Sequence, residues 1–503
     1  FCQDKTRYVI YTQQKIPPTL PTLTLDNNPV KEGNKREGQK YLGVIIDHKL
    51  RFDKHISHKI QQTKQKLAIL KNRITRKHGP NPKWLKYAYE AVAKPTMTYA
   101  AHIWAHKITP KHRRELKKIN RLACTIISNQ VGNAPTDGLM MMLGIMPLDI
   151  SIEYTAVNTY HNIKGTYETY WNSTTHLNTQ AGFRHAMENL TTYYYPERLE
   201  TDRIRKLDIH QQVVFTEPEE PDIQIYTDGS GYENTFGYGY TISGHIEHED
   251  RGRLRDEASV FQAEMMAIKK ATTYLLGIGI THRIIHIQSD SQAAIAALKG
   301  YIFHDGLTLE TKNQLKLLTD NNDVFISWIK GHAGYEGNER ADELAHEGRN
   351  LDAAEKEHHR VPLSYRKKLV KSRAIEKWNE RYQATTAREQ SKYFWPKVDY
   401  IKSEQLLKLN RPNIDLITQF MTGFNFLGRH LHKIDSSITK YCRACGDDEI
   451  EDSKHLTLCP ALSDISRVIL HKYHEDPNQW EVHNLLEFIQ HERVATLLKD
   501  RRG

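Results

Sequence analysis

Four acidic residues lie in short motifs spread over about 125 residues of the chain. Asp228 follows the apolar run IQIYT, and Asp290 follows the apolar run IIHIQS. Glu264 in FQAEMMA and Asp342 in NERADELA fall near the start of two predicted helices. Side chains at the carboxyl ends of neighbouring strands converge on one edge of a sheet. We therefore expect the four carboxylates to meet at a single site.

Such a set of carboxylates predicts a site for divalent cations. Like charges within a few ångströms of one another resist joint ionisation unless a cation offsets them. Magnesium prefers carboxylate and water ligands, and two ions roughly 4 Å apart can promote phosphodiester hydrolysis. His332 lies in the glycine-rich segment GHAGYEGN, where a mobile imidazole can assist proton transfer. Taken singly, each residue also fits an ordinary role as a turn residue, a solvated helix acid or a loop histidine.

The segments around these residues predict a mixed α/β domain. Apolar runs and turn signals predict strands at residues 223–227, 236–243, part of 253–260, 284–289 and 324–329. Helical periodicity predicts helices at residues 261–276, 291–298, 307–318 and 338–347. Strands in a row, followed by strands that alternate with helices, imply one mixed five-stranded sheet with flanking helices.

A second group of candidate ligands lies near the end of the chain. The spacing C-x2-C-x9-H-x3-C is formed by Cys442, Cys445, His455 and Cys459. Three thiolates and one imidazole make a complete tetrahedral set for structural zinc, with no open position for catalysis. Gly446 permits the tight turn that such a zinc knuckle needs.

Composition limits the classes of protein that this chain can belong to. The chain has 503 residues, of which 39% are hydrophobic, enough for about three domains with their own cores. No window approaches the roughly 18 apolar residues of a membrane span, and no signal peptide pattern is present, so we expect an intracellular protein without a membrane partner. The formal net charge of +10 favours a polyanionic partner, for which nucleic acid is the candidate.

Basic residues recur on the outer faces of two predicted helices, residues 55–76 and 110–128. On the second helix they are Lys111, Arg113, Arg114, Lys117, Lys118 and Arg121. A run of this kind is either a solvated face or a surface that contacts phosphates.

The motifs YTDGS, FQAEMMA, SDSQAA and GHAG followed by NERADELA occur in the order found in the RNase H domain, which this stretch closely resembles. The resemblance implies hydrolysis of the RNA strand of RNA/DNA hybrids with two magnesium ions, for which manganese can substitute. The metal-binding catalytic carboxylates that it implies are Asp228, Glu264, Asp290 and Asp342, with His332 as the catalytic histidine. It also implies substrate contacts by Gly229, Ser230 and Asn338.

Four motifs in the region before this domain carry a second resemblance. The motifs KTRYVIYT, KYLGVIID, KPTMTYAAHIW and LGIMPLDI resemble, in order, the end of the palm, the thumb and the connection of reverse transcriptases from jockey-like non-LTR retrotransposons. The paired polymerase aspartates of that family would lie before Phe1, so we expect an N-terminally truncated fragment that does not polymerise. The cysteine cluster resembles the zinc-binding region that follows RNase H in these elements.

Six segments make up the predicted organisation. They are a palm remnant with thumb and connection (1–150), a connection and linker (151–222), the RNase H domain (223–350), a helical linker region (351–440), the zinc knuckle (441–460) and a helical tail (461–503). The predicted fold class is therefore an RNase H-like α/β domain between a mostly helical region and a helical region with a small zinc knuckle. The sequence leaves the oligomeric state open.

Two alternatives to a hybrid-cleaving enzyme remain at this point. The fragment can be catalytically idle and bind nucleic acid through its basic helices and zinc knuckle. It can also be a different nuclease on the same fold, although such sites generally lack the block GHAG followed by NERAD.

Overall fold

The computed structural model describes residues 7–8, 10, 22–25, 28–32, 38–75, 79–130, 134–166, 177–194, 206–207, 213–303, 305–352, 360–385, 389–471 and 475–499. Phe1 and most of the motif KTRYVIYT lie outside these residues. The chain forms two compact units, Phe1–Val157 with Ser372–Gly503, and Asn158–Lys371. The six-segment organisation stays a prediction.

A five-stranded mixed sheet forms the centre of the second unit. Its strands are β1 (Ile223–Tyr232), β2 (Thr235–Gly244), β3 (His248–Leu254), β4 (Ile284–Ser289) and β5 (Asp323–Trp328). They lie in the order β3-β2-β1-β4-β5. The first three pair antiparallel, whereas β4 runs parallel to both of its neighbours. The predicted mixed sheet is confirmed.

The strands β1 and β4 differ in their pattern of apolar residues, and burial explains this difference. On β1, Ile223 and Ile225 are fully buried, while Gln224 and Tyr226 are half-buried. On β4, every residue after Ile284 is buried, because the strand has a neighbour on each side and cover on both faces. This double cover accounts for the nearly continuous apolar run of β4.

The third strand is the one that the sequence misplaces. It was expected within residues 253–260, but β3 spans His248–Leu254. Its sequence, HEDRGRL, is polar because β3 is an edge strand, and only Gly252 and Leu254 are buried. Charged residues on an edge strand hinder pairing with other chains, and they also remove the alternation by which a strand is recognised.

Four helices flank the sheet: α1 (Val260–Gly277), α2 (Gln292–Lys299), α3 (Gly306–Thr319) and α4 (Glu336–Arg349). All four were predicted, with ends that agree to within two residues. The side chains that cap the first three are those of Ser259, Ser291 and Asp305, each accepting a backbone N–H of the first turn.

Two glycines on β2 allow α4 to pack directly on the sheet. A Cβ atom at Gly239 would lie 2.4 Å from the backbone nitrogen of Ala345, and one at Gly237 would lie 2.2 Å from that of Arg349. Real Cβ atoms do not approach backbone so closely, so no larger residue fits without moving the helix. Because Gly239 pairs with Asp228, this packing brings α4, which carries Asp342, close to Asp228.

The first unit is predominantly helical. Before the second unit its helices are Asp53–Asn72, Pro82–Ala88, Lys94–Thr98, Ala101–Trp104, Pro110–Ser128, Thr136–Leu143 and Leu148–Thr166, with a π-helical turn at Tyr89–Ala93 and a 3-10 turn at Ala105–Lys107. After it they are Leu363–Gln383, Glu389–Phe394, Tyr400–Lys408, Arg411–Thr422, Gly428–Ile434, Ser453–Leu458, Ser463–Ile469, Val482–Gln490 and Glu492–Leu497, with 3-10 turns at Pro460–Leu462 and Pro477–Gln479. Two of these helices, Leu148–Thr166 and Leu363–Gln383, contain the unit boundaries.

The remaining elements are small. The second unit also contains the helix Leu177–Tyr194 and the strand pair Lys206–Leu207 with Ile302–Phe303. The first unit has the strand pairs Arg7–Tyr8 with Lys31–Glu32, Thr24–Leu25 with Asn28–Pro29, and Gln39–Tyr41 with Val44–Ile46.

No single helix among the described residues is long and apolar enough to cross a membrane. One bent pair, Thr136–Leu143 with Leu148–Ile163, passes by length and composition alone. Apolar side chains on both of its helices, among them those of Leu139 and Ile150, are buried in the protein.

Candidate active site

Asp228 lies on β1 directly after the last residue that pairs with β4, and Asp290 directly follows the end of the parallel strand β4. The register of β1 and β4 runs from Ile223 opposite Ile285 to Thr227 opposite Ser289. The residue that follows the last pair in each chain segment is therefore one of the two aspartates. This is the convergence at strand ends that parallel pairing produces.

Helix α1 delivers the third carboxylate, that of Glu264, to the same edge. The helix can approach β1 because Gly229 follows Asp228: a Cβ at Gly229 would lie 2.4 Å from the backbone nitrogen of Glu264. Glycine is thus required here for packing.

One carboxylate oxygen from each of Asp228, Glu264 and Asp290 lies within 4.8 Å of those of the other two. Asp228 and Glu264 are each 7% exposed, and Asp290 is half-buried. Among the described residues, Oε2 of Glu264 is buried without a hydrogen-bond partner. A buried and unpaired carboxylate oxygen is unfavourable, and a bound cation relieves it. The three side chains therefore fit a divalent cation.

Burial and mutual repulsion perturb the acidity of all three groups. Burial raises the pKa of Asp228 to about 7, and the charges of Asp290 and Asp342 contribute. Burial raises the pKa of Glu264 to about 9, again with contributions from the neighbouring aspartates. The pKa of Asp290 is also raised, first by burial and then by the charge of Asp342. Without a cation, the cluster therefore retains protons near neutral pH.

Asp342 and His332 lie at the margin of this cluster. Asp342 on α4 is half-buried and is not one of the three groups within 4.8 Å, although its charge raises the pKa of each of them. His332 is exposed, with a left-handed backbone at φ 53°, and its charge lowers the pKa of Asp290. The preceding Gly331 passes close to Asp290, because a Cβ there would lie 2.6 Å from Oδ2.

The residues expected to contact substrate occupy different environments. Gly229 is buried and Ser230, the next residue on β1, is half-buried. The guanidinium of Arg349 donates to the Ser230 hydroxyl at 3.3 Å. Asn338 is 4% exposed, and its Oδ1 is buried without a partner among the described residues.

Sequence reasoning missed two side chains that bear on the site. The indole N–H of Trp328 donates to the backbone carbonyl of Asp290 at 2.9 Å, which orients that residue. Arg349 adds a cation beside Ser230. The sequence does place Trp328 at the end of a predicted strand. It does not show that this strand, β5, pairs with β4, and this pairing is what brings Trp328 next to Asp290.

The cysteine cluster forms a second candidate metal centre, in the first unit. One ligand atom from each of Cys442, Cys445, His455 and Cys459 lies within 4.8 Å of the others. The Sγ atoms of Cys442 and Cys459 are 3.9 Å apart, and Sγ of Cys445 lies 3.5 Å from Nε2 of His455. In tetrahedral zinc sites, bond lengths of about 2.3 Å to sulfur and 2.0–2.1 Å to nitrogen give corresponding separations of about 3.8 and 3.6 Å.

Local structure explains how these ligands are held. Gly446 adopts a left-handed φ of 73° and donates its N–H to the Cys442 carbonyl at 3.1 Å, closing the turn after Cys445. Asp452 caps the helix Ser453–Leu458 and thereby positions His455. The donor set and its spacing fit a structural zinc ion.

Comparison with known proteins identifies the region that contains the carboxylate cluster. Residues 220–350 match the family model described as RNase H. A ribonuclease H from Afipia carboxidovorans is 32% identical over 149 residues, covering 27% of this chain and 97% of that protein. A ribonuclease H from Francisella philomiragia is 31% identical over 134 residues, covering 25% of this chain and 88% of that protein.

Among solved structures, RNase H1 from the halophilic archaeon Halobacterium salinarum matches at 25% identity with a TM-score of 0.22. The match covers 25% of this chain and 97% of that one.

Proposed function

This chain belongs to the ribonuclease H family through residues 220–350, and from that premise we propose that it hydrolyses the RNA strand of RNA/DNA hybrids by a two-metal-ion reaction. Enzymes of this family use divalent metals, and ribonuclease H is the activity of the curated relatives. The observation that carries the proposal is the convergence of Asp228, Glu264 and Asp290 from three separate elements. Magnesium is the proposed metal, with manganese as a substitute.

Each carboxylate has a proposed role in holding the ions. Asp228, Glu264 and Asp290 would hold the ions together, since one oxygen of each lies within 4.8 Å of the other two, and Asp342 would complete the set from α4. Magnesium, when bound, supplies the positive charge that activates water and stabilises a leaving oxygen. Because the elements that carry the acids are rigid, little reorganisation is needed when substrate arrives.

His332, two residues of β1 and one residue of α4 are proposed to act on the substrate. The imidazole of His332 is exposed on a glycine-rich loop beside Asp290, so it can accept or deliver a proton as the product leaves. Gly229, Ser230 and Asn338 are proposed to face the sugar-phosphate backbone of the hybrid. Recognition of this kind depends on shape, phosphates and 2′-hydroxyls rather than on base sequence.

Magnesium affinity is expected to rise by more than tenfold between about pH 6 and pH 8. The pKa values of about 7 for Asp228 and about 9 for Glu264 mean that the metal-free site holds protons that binding must displace. Raising the pH removes these protons before the metal binds, so magnesium affinity increases with pH. Calorimetric titrations in two buffers of different ionisation enthalpy measure both affinity and proton release. An affinity that stays constant over this range would contradict the assignment.

We further propose that Cys442, Cys445, His455 and Cys459 bind one structural zinc ion. The proposal is supported by the two ligand separations, both within about 0.1 Å of the tetrahedral values. All four positions are taken by protein, so the ion would stabilise the fold rather than act on substrate.

The chain is proposed to be part of a non-LTR retrotransposon polyprotein. Support comes from the order of motifs in residues 1–150 and from the helix Pro110–Ser128, which was predicted with the same bounds. In this setting RNase H would remove the RNA template from a newly made hybrid.

The proposed function is tested with a labelled RNA/DNA hybrid, alongside DNA duplex and RNA duplex of the same sequence. We expect cleavage of only the RNA strand of the hybrid, only with magnesium or manganese, giving 5′-phosphate and 3′-hydroxyl ends. Cleavage of DNA duplex instead would indicate another nuclease on this fold. Tight binding of the hybrid without cleavage would favour the idle nucleic-acid-binding fragment.

A further inference from the structure

A cation-lined cavity lies in the first unit, remote in sequence from the carboxylate cluster. Its volume is about 250 Å³. One wall is the helix Pro110–Ser128 and another is the C-terminal part of Leu363–Gln383. Four cations and two acids line it, which leaves a net charge of +2 (four minus two): Arg113, Arg114, Lys117, Arg381, Asp137 and Asp149.

A buried acid holds two of the guanidiniums in place. Asp149 is 5% exposed and accepts hydrogen bonds from Arg113 at 2.8 Å and from Arg381 at 2.7 and 2.9 Å. Burial raises the pKa of Asp149, but the hydrogen bonds and charges of the two arginines outweigh it and the pKa is lowered. Each guanidinium has five N–H donors, so donors remain after these bonds are made. The cavity wall is thus preorganised to receive an anion.

Two further residues have unused hydrogen-bonding capacity. Asn120 lines the cavity and is only 3% exposed, yet its Oδ1 is buried without a partner and its side chain makes no hydrogen bond to the described residues. Arg114 is exposed at the rim and, within the described part of the chain, forms no ion pair. A buried amide oxygen without a protein partner is rare in native structures, and a water or a ligand in the cavity can supply the partner.

The shape of the cavity restricts what can enter. A space of about 250 Å³ is too small for a duplex but large enough for a phosphate with the sugar or base attached to it. Met140, Pro147, Trp378 and Tyr382 supply apolar lining, against which an uncharged nucleoside can pack. The chain is basic overall, which raises the local concentration of polyanions.

We propose that this cavity binds one nucleotide of a single-stranded nucleic acid, with its phosphate on Arg113, Arg114 and Arg381 and its nucleoside next to Asn120. A flexible strand can place one nucleotide in a concave site, whereas stacked and paired nucleotides cannot enter it. This site uses residues of the first unit only and does not depend on the proposed nuclease function.

The test measures binding of a fluorescent oligodeoxythymidylate about 20 nucleotides long to the full chain without magnesium, so that cleavage plays no part. Arg114→Gln is expected to weaken binding about tenfold, as expected for loss of a charge-assisted hydrogen bond. Its matched control is Arg73→Gln, which removes the same charge from an exposed position outside the cavity. The control is expected to change affinity less than threefold.

Asn120→Leu separates occupation of the cavity from general electrostatics, since it changes no charge. It is expected to weaken strand binding about tenfold while leaving the melting temperature equal or higher, because it removes an unpaired buried amide. Competition by excess uridine monophosphate, and none by inorganic phosphate at equal concentration, would support a nucleotide rather than a bare anion.

Three results would overturn the proposal. Equal losses for Arg114→Gln and Arg73→Gln would mean that a diffuse basic surface binds the strand. If Arg114→Gln weakens strand binding but a folded Asn120→Leu does not, the phosphate binds at the rim and the cavity is not occupied. Displacement of the strand by duplex DNA at equal nucleotide concentration would show that a concave single-strand site is not involved.

Discussion

Asp228→Asn is expected to lower the rate of RNA-strand cleavage in a hybrid by about 1000-fold or more, since metal ions contribute several kcal/mol to such reactions and 1.36 kcal/mol is a factor of ten. Asp228 is 7% exposed and has a carboxylate oxygen within 4.8 Å of one from each of Glu264 and Asp290, so its substitution removes one of the three converging ligands. An amide has one oxygen and no charge, and binds magnesium weakly. The measurement is the initial rate of cleavage by the parent and by the variant, at a magnesium concentration that saturates the parent.

The same variant should fold, and its stability gives an independent check. The pKa of Asp228 is raised to about 7 in the folded chain, above its unfolded value, so the ionised carboxylate disfavours the fold as pH rises through this range. At pH 8 without metal, Asp228→Asn is therefore expected to melt at a higher temperature than the parent. Glu339→Gln on α4 is the control, because Glu339 is exposed and one turn before Asp342. Equal cleavage by parent and Asp228→Asn would refute the assignment.

The carboxylate cluster could be predicted because its positions follow from short-range patterns. Asp228 and Asp290 each follow an apolar run, and apolar runs of this length form buried strands. The pairing of β1 with β4 then sets the two aspartates side by side. The position of Glu264 near the start of a helix could be predicted from the helical periodicity of α1, and Ser259 caps that helix in the structure. The sequence did not show that Asp342 stands slightly apart, since this depends on how α4 packs on β2.

Other features depend on contacts between distant residues. The basic run of helix Pro110–Ser128 fits either a solvated face or a surface that contacts phosphates, but in the structure Arg113 pairs with Asp149 and Glu153, and Lys117 pairs with Asp137. Arg381, on the wall opposite, is more than 200 positions away in sequence. No periodicity within one helix reveals such partners. The edge strand β3 was misplaced for a related reason, because its polar sequence reflects its position at the sheet margin.

The cysteine cluster depends both on a short-range sequence pattern and on contacts between distant residues. Its spacing was readable in sequence, but the buried ion pair that supports it was not. Glu451 is fully buried and accepts hydrogen bonds from the backbone and guanidinium of Arg443, between the first two cysteines, and from Gly428 N–H. Arg443 also donates to the Leu497 carbonyl. The zinc ligands are therefore connected to the C-terminal helices, and the effect of losing the ion should extend beyond the knuckle.

Cys445→Ser is expected to reduce bound zinc from about one ion per chain to less than a tenth of that, because a serine hydroxyl is not a zinc ligand at neutral pH. Structural zinc contributes about 10 kcal/mol or more to small domains, so the knuckle should open and release Arg443 from Glu451. Residues 441–470 and the helices Val482–Gln490 and Glu492–Leu497 should then become sensitive to protease, while hybrid cleavage by the second unit continues.

Zinc content after dialysis, measured by atomic emission, and the sites of limited proteolysis measured by mass spectrometry test this expectation together. Cys124→Ser is the matched control, since Cys124 is a buried cysteine of the same unit outside the cluster, and it should retain zinc. Because burial raises the pKa of Cys459 to about 12, zinc must displace a proton from that thiol, and zinc affinity of the parent should fall as pH is lowered. Full zinc occupancy in Cys445→Ser would show that the four residues do not form one site.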